Sequence, residues 1–72
     1  EPLSTRQRFV EILMKLKETA ELTLSDLFAP DEGRAGVVVS FLAILELGRE
    51  GLCALIQAAP GSQIYIRIPT DA

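Results

Sequence analysis

Gln63-Ile64-Tyr65-Ile66-Arg67-Ile68 decides how this chain is read. Its three isoleucines alternate with Gln, Tyr and Arg, the period of two that gives a strand one apolar and one polar face. Just upstream, Ala58-Ala59-Pro60-Gly61-Ser62 has the composition of a turn. Residues 52–57 on its far side read as a second strand, so the two form a hairpin. Before Leu52 the apolar period changes from 2 to about 3.6. Residues 34–48 carry Val37, Val38, Val39, Phe41, Leu42, Ile44, Leu45 and Leu47, and this spacing predicts a long helix. Valines are modest helix formers, so packing must hold them there. Gly48 or Gly51 can end the helix through a left-handed cap.

Working back to the start, Asp31-Glu32-Gly33 is a polar turn whose acids suit a helix N-terminus. Ser25-Asp26-Leu27-Phe28 reads as a capped single turn halted by Pro30, and Leu22-Thr23-Leu24 is short and β-prone. A first amphipathic helix is expected over residues 5–20. Phe9, Ile12, Leu13, Leu16 and Ala20 form its apolar stripe, with Arg6, Arg8, Glu11, Lys15 and Glu18 on the other faces. Ser4 and Gln7 have the spacing of a capping box at its start. Helix, short strand, short helix, helix and hairpin together make an α+β fold, a small winged helix. It has a three-helix core, a β-hairpin wing and one short extra strand. The expectation is a single domain over residues 1–72, with residues 1–4 and 69–72 as tails.

Composition narrows the chemistry. Hydrophobic residues make up 49% of the 72, too rich for disorder. No window reaches the roughly 18 uninterrupted apolar residues of a membrane span, and Glu1-Pro2-Leu3-Ser4 does not read as a signal peptide. The chain lacks an initiator Met and reads as a piece of a longer protein. It contains no His, which removes both the usual general base near neutral pH and the commonest metal ligand. One cysteine without His cannot build a zinc site. Cys53, in the first hairpin strand, reads as a small buried side chain, and a lone thiol fits a reducing cytosol. Ser40 has no base nearby, Asp31-Glu32 lacks the spaced oxygens of a calcium loop, and no phosphate-binding glycine pattern occurs. No enzyme, cofactor or small-molecule substrate is expected.

Seven basic residues against ten acidic give a net charge of −3, a balance that disfavours an autonomous nucleic-acid binder. The long helix agrees. A DNA-reading winged helix presents Arg, Lys, Asn or Gln here to base edges, yet residues 37–47 contain no basic residue and carry Glu46. At about 100° per residue, Val37, Val38, Phe41, Leu42, Ile44 and Leu45 span about 160° of the helix circumference, with Val39 and Leu47 beyond its two edges. A core-facing helix needs a stripe only somewhat wider than about 100°. Two readings stay open: either the domain buries this helix on both flanks, or one side meets the core and another a partner protein. Under the second, Val38, Phe41, Leu42 and Leu45 are anchors, with Arg34 and Arg49 at the rim.

The run Arg34-Ala35-Gly36-Val37-Val38-Val39-Ser40-Phe41-Leu42-Ala43-Ile44-Leu45-Glu46-Leu47 resembles the signature helix of the segregation and condensation protein A family, the bacterial kleisins. Leu24-Ser25-Asp26-Leu27-Phe28 is similar to that family's short-helix segment. Gln57, a short turn and Ile64 are similar to its hairpin. The resemblance covers about residues 8–68. It implies the C-terminal winged-helix domain of a kleisin, which docks onto the ATPase head of an SMC (structural maintenance of chromosomes) protein. The rest of the kleisin bridges to the other head and carries segregation and condensation protein B. The assembly condenses and segregates the bacterial chromosome, so the resemblance implies a cytoplasmic, nucleoid-associated tether. The alternatives from the residues are a DNA-binding winged-helix regulator, suggested by architecture alone, and a self-associating dimerisation module.

Overall fold

The structure, a computed structural model, describes residues 3–69; Glu1, Pro2 and residues 70–72, parts of the expected tails, lie outside it. Its order is α1 (Thr5–Thr19), β1 (Glu21–Thr23), two 3-10 turns (Leu24–Leu27 and Pro30–Glu32), α2 (Gly33–Arg49), β2 (Ala54–Gln57) and β3 (Ile64–Arg67). The architecture is α+β, a small winged helix. The middle helix of the expected three is reduced to the two 3-10 turns, because Pro30 has no N–H to continue the first.

Ser4 caps α1 by accepting the Gln7 N–H at 3.1 Å. The reciprocal half of the expected capping box is missing, since Gln7 Nε2 donates instead to Glu11 at 3.4 Å. A complete capping box forms elsewhere. Thr23 Oγ1 accepts the Asp26 N–H, and Asp26 Oδ2 accepts the Thr23 N–H, each at 3.2 Å. The Thr23 side chain, and after it the Thr23 N–H, favour the ionised Asp26 and hold its carboxyl below the usual range. Helix α1 ends at Ala20, whose φ of 69° is left-handed, and the Ala20 carbonyl then accepts the Ile68 N–H at 3.3 Å.

Helix α2 ends on Gly51, not Gly48. The Gly51 N–H bonds Gly48 O at 3.1 Å and the Leu52 N–H bonds Leu47 O at 2.9 Å, the two bonds of a Schellman motif. Gly51, at φ 75°, supplies the left-handed step. The hairpin turn is similarly local. Ser62 N–H bonds Ala59 O at 3.0 Å across Pro60 and Gly61, and Gly61 at φ 83° meets the positive φ of a type II turn.

The three strands form one antiparallel sheet in the order β1-β3-β2. Leu22, Ile66 and Leu55 lie opposite one another in register, as do Thr23, Tyr65 and Ile56. Ile66 is fully buried while Tyr65 and Arg67 are exposed, the alternation read from residues 63–68. Below the sheet, Ile12 and Leu16 of α1 meet Ala43, Ile44 and Leu47 of α2, with Leu27 and Cys53 closing the core. Each fully buried Leu or Ile contributes about 1.5–3 kcal/mol, so this one cluster carries the fold. No helix of the described residues is long and apolar enough to cross a membrane.

Candidate functional site

Helix α2 has two faces, and the more apolar one is outside. The buried side is Gly36, Ser40, Ala43, Ile44 and Leu47. Their spacing of 4, 3, 1 and 3 draws one stripe down the helix, with small residues over its first half that let α1 and the connecting turns approach closely. The opposite side is Val37, Val38, Phe41, Leu42 and Leu45, each between 43% and 49% exposed. Large apolar side chains contiguous on one helix face and half open to water are the unusual feature of this surface. Burial on both flanks, the first of the two readings open from the sequence, is therefore not what the chain adopts.

All four expected anchors, Val38, Phe41, Leu42 and Leu45, stand on this outer face, and Arg34 and Arg49 are exposed at its two ends. Counted along the helix, Arg34, Val38, Phe41, Leu45 and Arg49 are spaced 4, 3, 4 and 4, a single line. Arg49 Nη1 lies 3.3 Å from Glu46 Oε1 on the same helix. Among the described residues, Arg34 has no salt bridge.

The chemistry behind the helix is structural. Arg8, expected on a solvated face of α1, is turned inward with 12% of its side chain exposed. It pairs with Glu32 and donates from Nη1 to Ser40 Oγ at 2.6 Å, and its Nε stands 3.3 Å from Glu11. Ser40 Oγ in turn donates to the Leu27 carbonyl at 3.2 Å. Glu32, expected in a solvated turn, is thus the half-buried partner of Arg8, whose guanidinium it holds more firmly charged. This network ties α1, the first 3-10 turn and the start of α2 into one unit. Glu32 Oε1 is buried without a hydrogen-bond partner and sits over Gly36, where a built Cβ would lie 2.6 Å from it. Nothing local in the sequence marks this pair, which lies 24 residues apart.

Ser40 and Cys53, two side chains weighed for chemistry, are both buried. Ser40 is buried and used by Arg8 and Leu27. Cys53 is buried, its thiol points at the Ile44 carbonyl 3.8 Å away, and burial raises its pKa. Among the described residues, no three His, Cys, Asp or Glu gather to hold a metal. A cleft of about 500 Å³ between the ends of α1 and α2 is lined by Thr5, Arg6, Phe9, Val10, Glu46 and Glu50.

No family model matches the chain. Individual proteins do match it. Over 67 residues, 93% of the chain, it is 45% identical to segregation and condensation protein A of Xylella fastidiosa (strain 9a5c). Over the same share of the chain it is 43% identical to the protein of that name from Coxiella burnetii (strain RSA 493 / Nine Mile phase I). The chain belongs to the segregation and condensation protein A family. It spans 22% and 25% of the length of those two relatives. The matched region takes in nearly all of the chain, the outer face of α2 with it.

Proposed function

We propose that this domain docks a kleisin onto the ATPase head of an SMC protein, through the outer face of α2. Its place is in the assembly that condenses and segregates the bacterial chromosome. The observation that carries the reading is the solvent-facing set Val37, Val38, Phe41, Leu42 and Leu45 on a helix whose other side fills the core. Desolvating large apolar side chains supplies most of the energy of a protein interface. The same helix in a DNA reader would carry cations, and between Arg34 and Arg49 this one has none. The domain acts as a tether without cofactor or reaction of its own. Hydrolysis of ATP belongs to the SMC partner, and segregation and condensation protein B joins through the rest of the kleisin. The assembly works in the cytoplasm, on the nucleoid.

The test is co-purification of the full kleisin with its cognate SMC head at physiological salt. Retention that requires this domain supports the reading. Loss of retention, together with tight duplex DNA binding by the domain, replaces it with the regulator alternative.

A further inference from the structure

Helix α2 begins with a cation in the wrong place for its own stability. The N-terminal turn of a helix presents unpaired N–H groups and the positive end of the macrodipole, which favours acids and disfavours Arg. Arg34 occupies that turn, is exposed, and has no salt bridge among the described residues. The nearby Glu32 is committed to Arg8. Arg49, at the other end, is favoured by the dipole and has Glu46 beside it, so the fold itself accounts for it. Nothing in the fold accounts for Arg34. It lies in line with Val38, Phe41 and Leu45, with Arg49 closing the row about 22 Å away at 1.5 Å per residue.

We infer that the surface receiving α2 is an apolar trough with a carboxylate at the end that faces Arg34, and that Arg34 is a specificity determinant reading it. This rests on the docking face proposed above and names the chemistry its partner must offer. An acid facing Arg34 turns an electrostatic cost in the free domain into a gain in the complex. Charge arranged in this way mainly governs encounter rate and rejection of wrong partners, while the apolar row between supplies affinity.

The test compares full-length kleisin carrying Arg34→Gln, Arg34→Glu or Phe41→Arg for binding to the SMC head over a range of ionic strength. Arg34→Glu is expected to weaken binding about tenfold or more at low salt, chiefly through the association rate, and to flatten the dependence on salt. Arg34→Gln is expected to weaken binding less and to leave the melting temperature of the domain unchanged or raised. A structural Arg34 would lower stability and binding together, so a lower melting temperature for Arg34→Gln overturns the inference. Binding of Arg34→Glu within twofold of the parent, while Phe41→Arg fails to bind, also overturns it and leaves the docking face standing. Unimpaired binding by Phe41→Arg removes the docking face itself, and the inference with it.

Discussion

Replacing Gly36 with Ala sets two rules of helix energetics against each other. By propensity alone, Ala inside a helix gains about 1 kcal/mol over Gly. Here the new methyl would fall on Glu32 Cβ and 2.6 Å from Glu32 Oε1. The chain doubles back at Gly33, whose φ is 64°, and brings the Glu32 side chain over the helix. A Cβ cannot rotate away, so the Glu32 backbone must move, and Arg8 loses its carboxylate. Overpacking costs about 1–3 kcal/mol, and a lost hydrogen bond to a charged group about 1.5–3 kcal/mol. Against the propensity gain, the net loss is about 3 kcal/mol. A domain of this size has roughly 4–11 kcal/mol in all, and each kcal/mol moves Tm by about 4–8 °C. Circular-dichroism melting of Gly36→Ala should therefore fall by roughly 12–24 °C. In a Glu32→Gly background, which has already lost the pair and the obstruction, the same change should cost nothing further. A Tm above the parent in the single variant would refute the reasoning, because propensity would then outweigh the contact.

Three further outcomes follow from local geometry. Ala20→Gly should raise stability by about 1 kcal/mol in a denaturant titration, since Ala20 holds a left-handed φ of 69° that costs a side-chain-bearing residue about 1–2 kcal/mol. The depressed Asp26 carboxyl makes the domain acid-sensitive. Its contribution is present above the ordinary carboxylate pKa and lost as pH falls through the lowered value, so Asp26→Asn should melt lower near neutrality and show a shallower fall below about pH 4. Cys53, buried with a raised pKa, should react with a thiol reagent only at the rate of unfolding in native buffer; fast stoichiometric labelling would contradict its placement.

The elements whose burial follows a simple period were legible. Residues 63–68 alternate in the structure as they do in the sequence, and Ile12 and Leu16 are buried where α1 was expected to face inward. Helix α2 was legible as a helix, but its inner face was not. A helical wheel weighs side chains by apolarity, and its centre of gravity falls on Phe41 and Leu45. The core instead takes Gly36, Ser40 and Ala43, chosen because small side chains let α1 and the connecting turns approach closely. Apolarity and inwardness part company on this helix, and that departure marks the candidate docking face. The Arg8–Glu32–Ser40 tie was illegible for another reason. It joins residues far apart in the chain, and each alone has the composition of a solvated surface. The Thr23–Asp26 capping box was displaced by two residues from the cap expected at Ser25, because β1 covers Glu21–Thr23, one residue earlier than the stretch 22–24 its composition suggested, and Leu24 opens the 3-10 turn.

The central claim is that the outer face of α2 binds a partner and does not serve the fold. The most direct measurement is the affinity of full-length kleisin carrying Phe41→Arg for the SMC head, with Tm recorded on the same protein. Phe41 is half exposed, whereas its neighbour Ile44 is fully buried. Arg at Phe41 should lower affinity by roughly two to three orders of magnitude, as expected for a hot-spot residue, with Tm nearly unchanged. Arg at Ile44 should unfold the domain, because its stability cannot absorb an unpaired buried charge. Parental affinity for Phe41→Arg, or a collapse of its Tm like that of Ile44→Arg, would contradict the account.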